Sequence, residues 1–400
     1  MNGHSSSSHP PAPIPDSLRG LETGTWAEHT VRDRLPDIGR RIIDGNEWPP
    51  EVQSSLRHLV DEMPGGRIEP IEDPGAPDVA AWNQWVEPHR DETWLQVPWF
   101  FAETYFYRRV IAAIGYFRPG PTNLKDPFAA QKAAGLSWAM DRNGGSSGQD
   151  QVDLGRRLLE SLWGNRSDLS IWPTEGGQDR SQADQPRQDH LLVDDRPRVL
   201  ELLQSRGRVD QRIDLVLDNA GTELLADLML IDDLLRQAPG RRLHIHAKAH
   251  PTYVSDAIPN DVEKTIERMA AVDGDMGAAA QRLRGVLADG QLTVGAHLYW
   301  TSPLPLWEAP RDLMDDLAKS DLVLLKGDAN YRRLLGDRHW PFNTPFADIV
   351  GYFPTALVAL RSVKADVAAG LSPQTVQRAR AADPLWTTDG AWAMIQFHRP

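Results

Sequence analysis

The sequence predicts an α/β fold, a three-layer Rossmann-like domain with a largely parallel sheet, joined to an N-terminal helical subdomain. Two observations carry that prediction. From about residue 190, short apolar β-rich runs alternate with helical stretches, the pattern of successive βαβ units. Before it, apolar residues recur at three- and four-residue steps, the period of a helix with one buried face. The expected boundaries are a disordered leader over 1–16, a helical subdomain over 17–165 and the α/β domain over 166–400.

The leader, MNGHSSSSHPPAPIPDS, is polar and rich in Pro and Ser, and it lacks the apolar core of a signal peptide. TVRDRLPDIGRRIIDG and PEVQSSLRHLVDEM then carry helical spacing. In PWFFAETYFYRRVIAAIGYF, Trp99, Phe100, Glu103, Tyr107 and Val110 share one helical face. Lys132 to Met140 and Leu154 to Trp163 read as further helices. The polar stretch 173–190 reads as an exposed insertion loop. The expected strands are Ile213–Asn219, Arg242–Lys248, Leu292–Trp300, Asp321–Gly327, Thr355–Leu360 and Ala393–Phe397. Helices are expected after the first, near 261–289 and near 310–319.

Composition narrows the chemistry. The 400-residue chain has no cysteine, which removes disulfides, thiolate metal sites and cysteine nucleophiles. Its net charge of −13 opposes a nucleic-acid partner, whose backbone needs a concentrated basic surface. No apolar run reaches the roughly 20 residues that span a bilayer. A cytoplasmic protein without a membrane partner is expected.

Open parallel sheets bind ligands beyond the carboxyl ends of their strands. Four segments fall there: Asp218-Asn219-Ala220-Gly221, Lys248 with the following Pro251 to Asp256, Lys326-Gly327-Asp328-Ala329-Asn330, and Arg361-Ser362-Val363-Lys364. Together they hold carboxylates, amides and several cations. Two carboxylates and an amide can hold a hard divalent cation. Such a cation polarises a phosphoryl oxygen, and Lys and Arg neutralise the rest of its charge. Gly221 and Gly327 allow close backbone approach. Each segment alone also reads as a turn with a helix cap, and Arg361 and Lys364 as the solvated start of a helix. His244 and His246 share a strand face, for which a structural role is expected. Glu103 reads either as a pocket residue or as half of a buried ion pair with an arginine. Two other chemistries fit poorly. A haloacid-dehalogenase-type site wants a second Asp two residues after the first, and Ala220 stands there. A Rossmann-type methyltransferase wants a Gly-rich cofactor loop, and none follows the first strand.

These motifs, in this order, resemble the damage-control phosphatase family, in the subfamily (subfamily III) that includes proteins named acidic-residue methyltransferases. The resemblance runs from about residue 20 to the C-terminus. It rests on TVRDRLP (30–36), WFFAETYFYRR (99–109), LWGNRSDLS (162–170), LDNAGTELLADL (217–228), HAKAHPTYVSD (246–256), KGDANYRRLLGD (326–337), WPFNTPF (340–346) and RSVKAD (361–366). It implies that Asp218, Asn219 and Asp256 ligate one divalent cation (Mg²⁺, Mn²⁺, Co²⁺ or Ni²⁺). It implies that Lys326, Gly327, Asp328, Ala329, Asn330 and Lys364 bind a small phosphorylated metabolite, with Asp218 and Asn219 also touching it and Arg361 adding charge. Asp218 and Asp328 are the candidate catalytic residues, Asp328 for orienting water or a sugar hydroxyl. The implied activity is hydrolysis of sugar phosphates such as fructose 1-phosphate and fructose 6-phosphate. The alternatives are a protein-glutamate carboxyl methyltransferase using S-adenosylmethionine and a non-enzymatic sugar-phosphate-binding metalloprotein. Two departures stand out. The family's Arg-Thr-x-Lys motif has Ser362 in place of Thr, and Ala329 is smaller than the usual residue after Gly-Asp.

Overall fold

The computed structural model describes residues 9–143, 153–164, 188–205 and 210–400. Among them, β1 (Leu191–Asp194), β2 (Arg212–Val216), β3 (Arg242–Ala247), β4 (Leu292–Ala296), β5 (Leu322–Lys326), β6 (Leu357–Ser362) and β7 (Ala393–His398) form one sheet. Its order is β1-β7-β6-β5-β2-β3-β4. The five strands from β6 to β4 are parallel, and β7 runs antiparallel to β6. The fold is therefore a mixed, mostly parallel α/β sheet with helices on both sides and a helical N-terminal region.

The chain leaves β2 towards β3 and β4 on one side, and leaves β5 towards β6 on the other. The sheet's topological switch point thus lies between β2 and β5, which are direct neighbours. A crevice outside their carboxyl ends is the expected ligand position. Asp218 follows β2 there, and Gly327 follows β5.

The central strands are buried on both faces, so they read as continuous apolar runs. In β5 every residue is buried. Val323 and Leu325 face one core, shared with the N-terminal helices, while Leu322 and Leu324 face the other. The first core is centred on the helix Trp99–Ala113, buried around nearly its whole circumference. Such a helix must satisfy its own charges: Arg108, fully buried, makes two 2.8 Å bonds to Asp78 and an ion pair with Asp73 at 3.0 Å. Residues 26–44 form one helical stretch interrupted by a π-helical turn at Thr30–Arg34.

Several expectations change in detail. The strand expected to reach Trp300 stops at Ala296, because the His297 ring accepts from the Tyr299 N–H and starts a 3₁₀ turn at Leu298–Thr301. Arg361 and Ser362 are the fully buried end of β6, not the start of a solvated helix. Edge strand β1 and the helix Val79–Val86 escaped the sequence reading. Of the expected leader, residues 1–8 lie outside the described residues; beyond them, the Ala12 N–H donates to the Asp348 carbonyl at 2.9 Å and Ser17 bridges to Arg338. Most of the 173–190 loop, and residues 165–170 of the LWGNRSDLS motif, also lie outside the described residues. No helix among the described residues is long and apolar enough to cross a membrane.

Candidate active site

The turn after β2 and the loop after β3 are tied together by backbone. Asn219 and Asp256 form an antiparallel bridge, and the Ala257 N–H donates to the Asp218 carbonyl at 2.7 Å. Tyr253 and Val254 both adopt positive φ, 45° and 64°. For a β-branched residue that conformation is strained. It turns the chain sharply enough to bring Asp256 against Asn219. After β5, Gly327 has φ +85°, and a Cβ there would stand 1.9 Å from Asp218 Oδ2. The absent side chain is what lets β2 and β5 bring their ends together.

Asp218, Asn219, Asp256, Asp328, Ala329 and Lys364 line one pocket at this point. Trp26, Arg34, Trp99 and Glu103 close it from the helical side, and Tyr253 of the loop after β3 and Arg332 of the helix Asp328–Leu335 complete the wall. The cavity is narrow, about 40 Å³, room for an ion and a water but not for a sugar phosphate. Asp218, Asn219 and Asp256 are 5%, 5% and 1% exposed. The Asn219 amide donates to Asp218 at 2.9 Å and to Glu223 at 2.8 Å, and its oxygen accepts from the Ser255 hydroxyl at 2.6 Å. Lys248 sits 3.0 Å from Asp256.

Acidic side chains crowd the pocket. Burial, then repulsion from Glu223 and Asp256, pushes the Asp218 carboxyl well above the usual carboxylate range, with Lys248 and Lys364 pulling the other way. Burial also raises Glu103, against the opposing pull of Arg332 and Arg34. Among the described residues, no three His, Asp or Glu side chains are placed to hold a metal ion by themselves. The donor set does fit a hard divalent cation through two carboxylates and the second lone pair of the Asn219 amide oxygen, completed by water or ligand oxygens.

Some predicted residues do not reach the pocket. Lys326, fully buried, donates to the Ser161 carbonyl and hydroxyl at 2.6 and 2.8 Å and to Asp227 at 2.9 Å, and pairs with Glu223 at 2.9 Å. It shares the strand face of Leu322 and Leu324, opposite the pocket. Asn330 accepts from Lys248 at 3.1 Å and donates to the Leu217 and Lys326 carbonyls, bracing the two loops from beneath. Arg361 holds Asp328 at 2.7 Å, stacks on Tyr331 at 4.3 Å and donates to the Ala365 and Val367 carbonyls. Its guanidinium therefore orients Asp328, which also accepts from the Lys364 N–H at 3.1 Å. Gly327 contributes backbone only.

Sequence reading placed Lys248 at the strand ends but assigned no site role to it or to Glu223. Lys248 carried a usable signal, since it directly follows β3 at the edge that Lys326 reaches at the end of β5. Trp26, Arg34 and Trp99 carried none, because only packing of the helical region brings them over the sheet. Glu103 serves both readings left open for it: it lines the pocket and pairs with Arg332 and, at 3.4 Å, Arg34. The strand histidines are structural: His246 bonds Asp214 at 2.9 Å and His244 bonds Thr293 at 2.6 Å.

The model of the damage-control phosphatase ARMT1-like domain matches residues 30–379. Among curated proteins, the zebrafish (Danio rerio) damage-control phosphatase ARMT1 is 32% identical, over 96% of this chain and 97% of its own. The mouse (Mus musculus) protein of the same name is 30% identical over 97% of this chain and 100% of its own. A crystal structure of a DUF89 family protein from Pyrococcus horikoshii aligns with TM-score 0.48 at 15% identity, covering 83% of this chain and 90% of that one.

Proposed function

The chain belongs to the damage-control phosphatase ARMT1-like domain family, and from that premise we propose that it hydrolyses a small phosphorylated sugar, of the fructose 1-phosphate or fructose 6-phosphate type, with a divalent cation in the cytoplasm. The observation that carries the reading is the convergence of Asp218, Asn219, Asp256, Asp328 and Lys364 on one pocket at the switch point of the sheet.

Asp218, Asp256 and the Asn219 oxygen are the proposed ligands of that cation. When bound, it supplies Lewis-acid polarisation of the phosphoryl group and lowers the pKa of water. The chain's own residues do the rest. Lys364 and Arg34 offset phosphate charge, and the backbone N–H groups that open the helix Asp328–Leu335 favour an anion. Lys248 and Asn330 hold Asp256 in place. Asp328, fixed by Arg361, is aimed to orient water or a sugar hydroxyl. Glu103 and Tyr253 offer polar atoms to the sugar, and Trp26 and Trp99 exclude water. Entry of a sugar phosphate requires the helical wall that carries Trp26 and Arg34 to move aside, closing again over the bound molecule.

The test is phosphate release from fructose 1-phosphate and fructose 6-phosphate with Mg²⁺ or Mn²⁺, with and without EDTA. We expect release that EDTA abolishes and added metal restores. Asp218→Asn and Asp256→Asn should each abolish it while circular dichroism stays native. Undiminished release in EDTA, or in both variants, overturns the proposal. Calorimetric binding of S-adenosylmethionine without phosphate release would favour methyl transfer instead.

A further inference from the structure

We infer that Glu223 is a positioning residue for the cation, one that fixes which end of the Asn219 amide faces the pocket; this builds on the proposed role of Asn219 as a ligand. Only the oxygen of an amide can ligate a hard cation, so a side chain free to turn over would present its NH₂ group as readily. Glu223 stands in the first turn of the helix Thr222–Gln237, is 1% exposed and lies behind Asn219, outside the pocket lining.

Among the described residues, three side chains hold the Asn219 amide. Its NH₂ group donates to Glu223 Oε2 at 2.8 Å and to Asp218 Oδ2 at 2.9 Å, and its oxygen accepts from the Ser255 hydroxyl at 2.6 Å. A hydroxyl both donates and accepts, so Ser255 suits either end of the amide. A carboxylate only accepts, so it tolerates the NH₂ end alone. Asp218 is itself a proposed ligand, with oxygens that belong to the cation. Glu223 is therefore the partner that tells the two ends apart from a fixed place behind the ligands, as groups that orient metal ligands do.

Lys326 holds Glu223 in turn. Its Nζ lies 2.9 Å from Glu223 Oε1 and bonds Asp227 at 2.9 Å and the Ser161 carbonyl and hydroxyl at 2.6 and 2.8 Å. Lys326, Asp227 and Ser161 are all fully buried. One oxygen of Glu223 thus faces Lys326 and the other faces Asn219. Through this chain Lys326 acts on a pocket that it does not reach. A glutamine at position 223 breaks the chain at a defined point. Its oxygen turns to Lys326, because a bond to a charged donor is the stronger one. Its NH₂ group then meets the NH₂ group of Asn219. Asn219 relieves that contact by turning over, and its nitrogen faces the pocket in place of its oxygen.

The test is Mn²⁺ titrated calorimetrically into the full chain without substrate, with urea unfolding measured alongside. Glu223→Gln should weaken Mn²⁺ binding at least about tenfold, the scale for losing a group that orients a metal ligand. Asn219→Asp should then restore it, since a carboxylate has an oxygen at both ends: one takes the glutamine NH₂ and the other faces the cation. The gain from Asn219→Asp should be at least about fivefold larger in the Glu223→Gln background than in the unaltered chain, where no NH₂ separates the new carboxylate from Glu223. A Glu223 that served only to hold the fold would give equal gains. Ser255→Ala leaves both carboxylates in place and should keep Mn²⁺ affinity within about threefold; it decides if Glu223→Gln does not fold. Unchanged affinity in Glu223→Gln, equal gains in the two backgrounds, or a tenfold loss in Ser255→Ala would each refute the role of Glu223 and leave the cation site standing. Absence of Mn²⁺ binding by the unaltered chain would refute both.

Discussion

Replacing Gly327 by alanine tests the central geometric claim, that the β2 and β5 ends meet only because one residue has no side chain. Gly327 sits at φ +85°, ψ 171°, a region that only glycine occupies readily. Holding an alanine there costs about 1–3 kcal/mol. The new Cβ would lie 1.9 Å from Asp218 Oδ2, 2.0 Å from its Cγ and 2.5 Å from its Cβ. Asp218 cannot swing aside cheaply, since it is buried and accepts from Asn219. Relieving such overpacking costs about 1–3 kcal/mol more. Gly327→Ala should therefore lose about 2–6 kcal/mol in urea unfolding, read as a lower midpoint at unchanged slope. Phosphate release should fall by at least about 10²-fold, the scale expected for misplacing a reacting group by about 1 Å. A variant with native midpoint and native turnover would show that the Asp218–Gly327 contact is not needed, and the proposed site geometry would fall with it.

Lys326→Met should cost about 3–5 kcal/mol in chemical denaturation, because it leaves Glu223 and Asp227 buried without their cation; native stability would refute the pairing. Arg361→Gln should lower kcat by about 10²-fold with little change in KM, as Asp328 loses its 2.7 Å anchor, whereas a rise in KM alone would mean that Arg361 binds substrate directly. Burial holds the His250 ring neutral, lowering its pKa from 6.5 to about 4. Its contribution to stability is thus complete above pH 6.5 and is lost as pH falls through 4, amounting to about 3 kcal/mol across that window. His250→Gln should flatten the unfolding free energy between pH 6.5 and 4 by that amount, and identical pH profiles would contradict the assignment.

Much of this molecule follows from local pattern alone. The apolar runs of β2, β3, β5 and β6 are read directly from the chain, because strands buried on both faces need unbroken apolar residues. Their parallel order follows from the helices between them. That order in turn assigns the loops with Asp218, Asp256 and Asp328 to one edge. The same double burial hides what only tertiary structure decides. With both faces apolar, alternation cannot say which face a residue at the strand end will take. Lys326 and Asp218 therefore look equivalent in sequence, yet one anchors a buried ion network and the other lines the pocket. Arg361 is likewise a plausible phosphate ligand until β6 extends far enough to bury it behind Asp328. The pocket's far wall, Trp26, Arg34, Trp99 and Glu103, is set by how the helical region packs on the sheet. Such contacts span hundreds of residues and leave no periodic trace in the sequence.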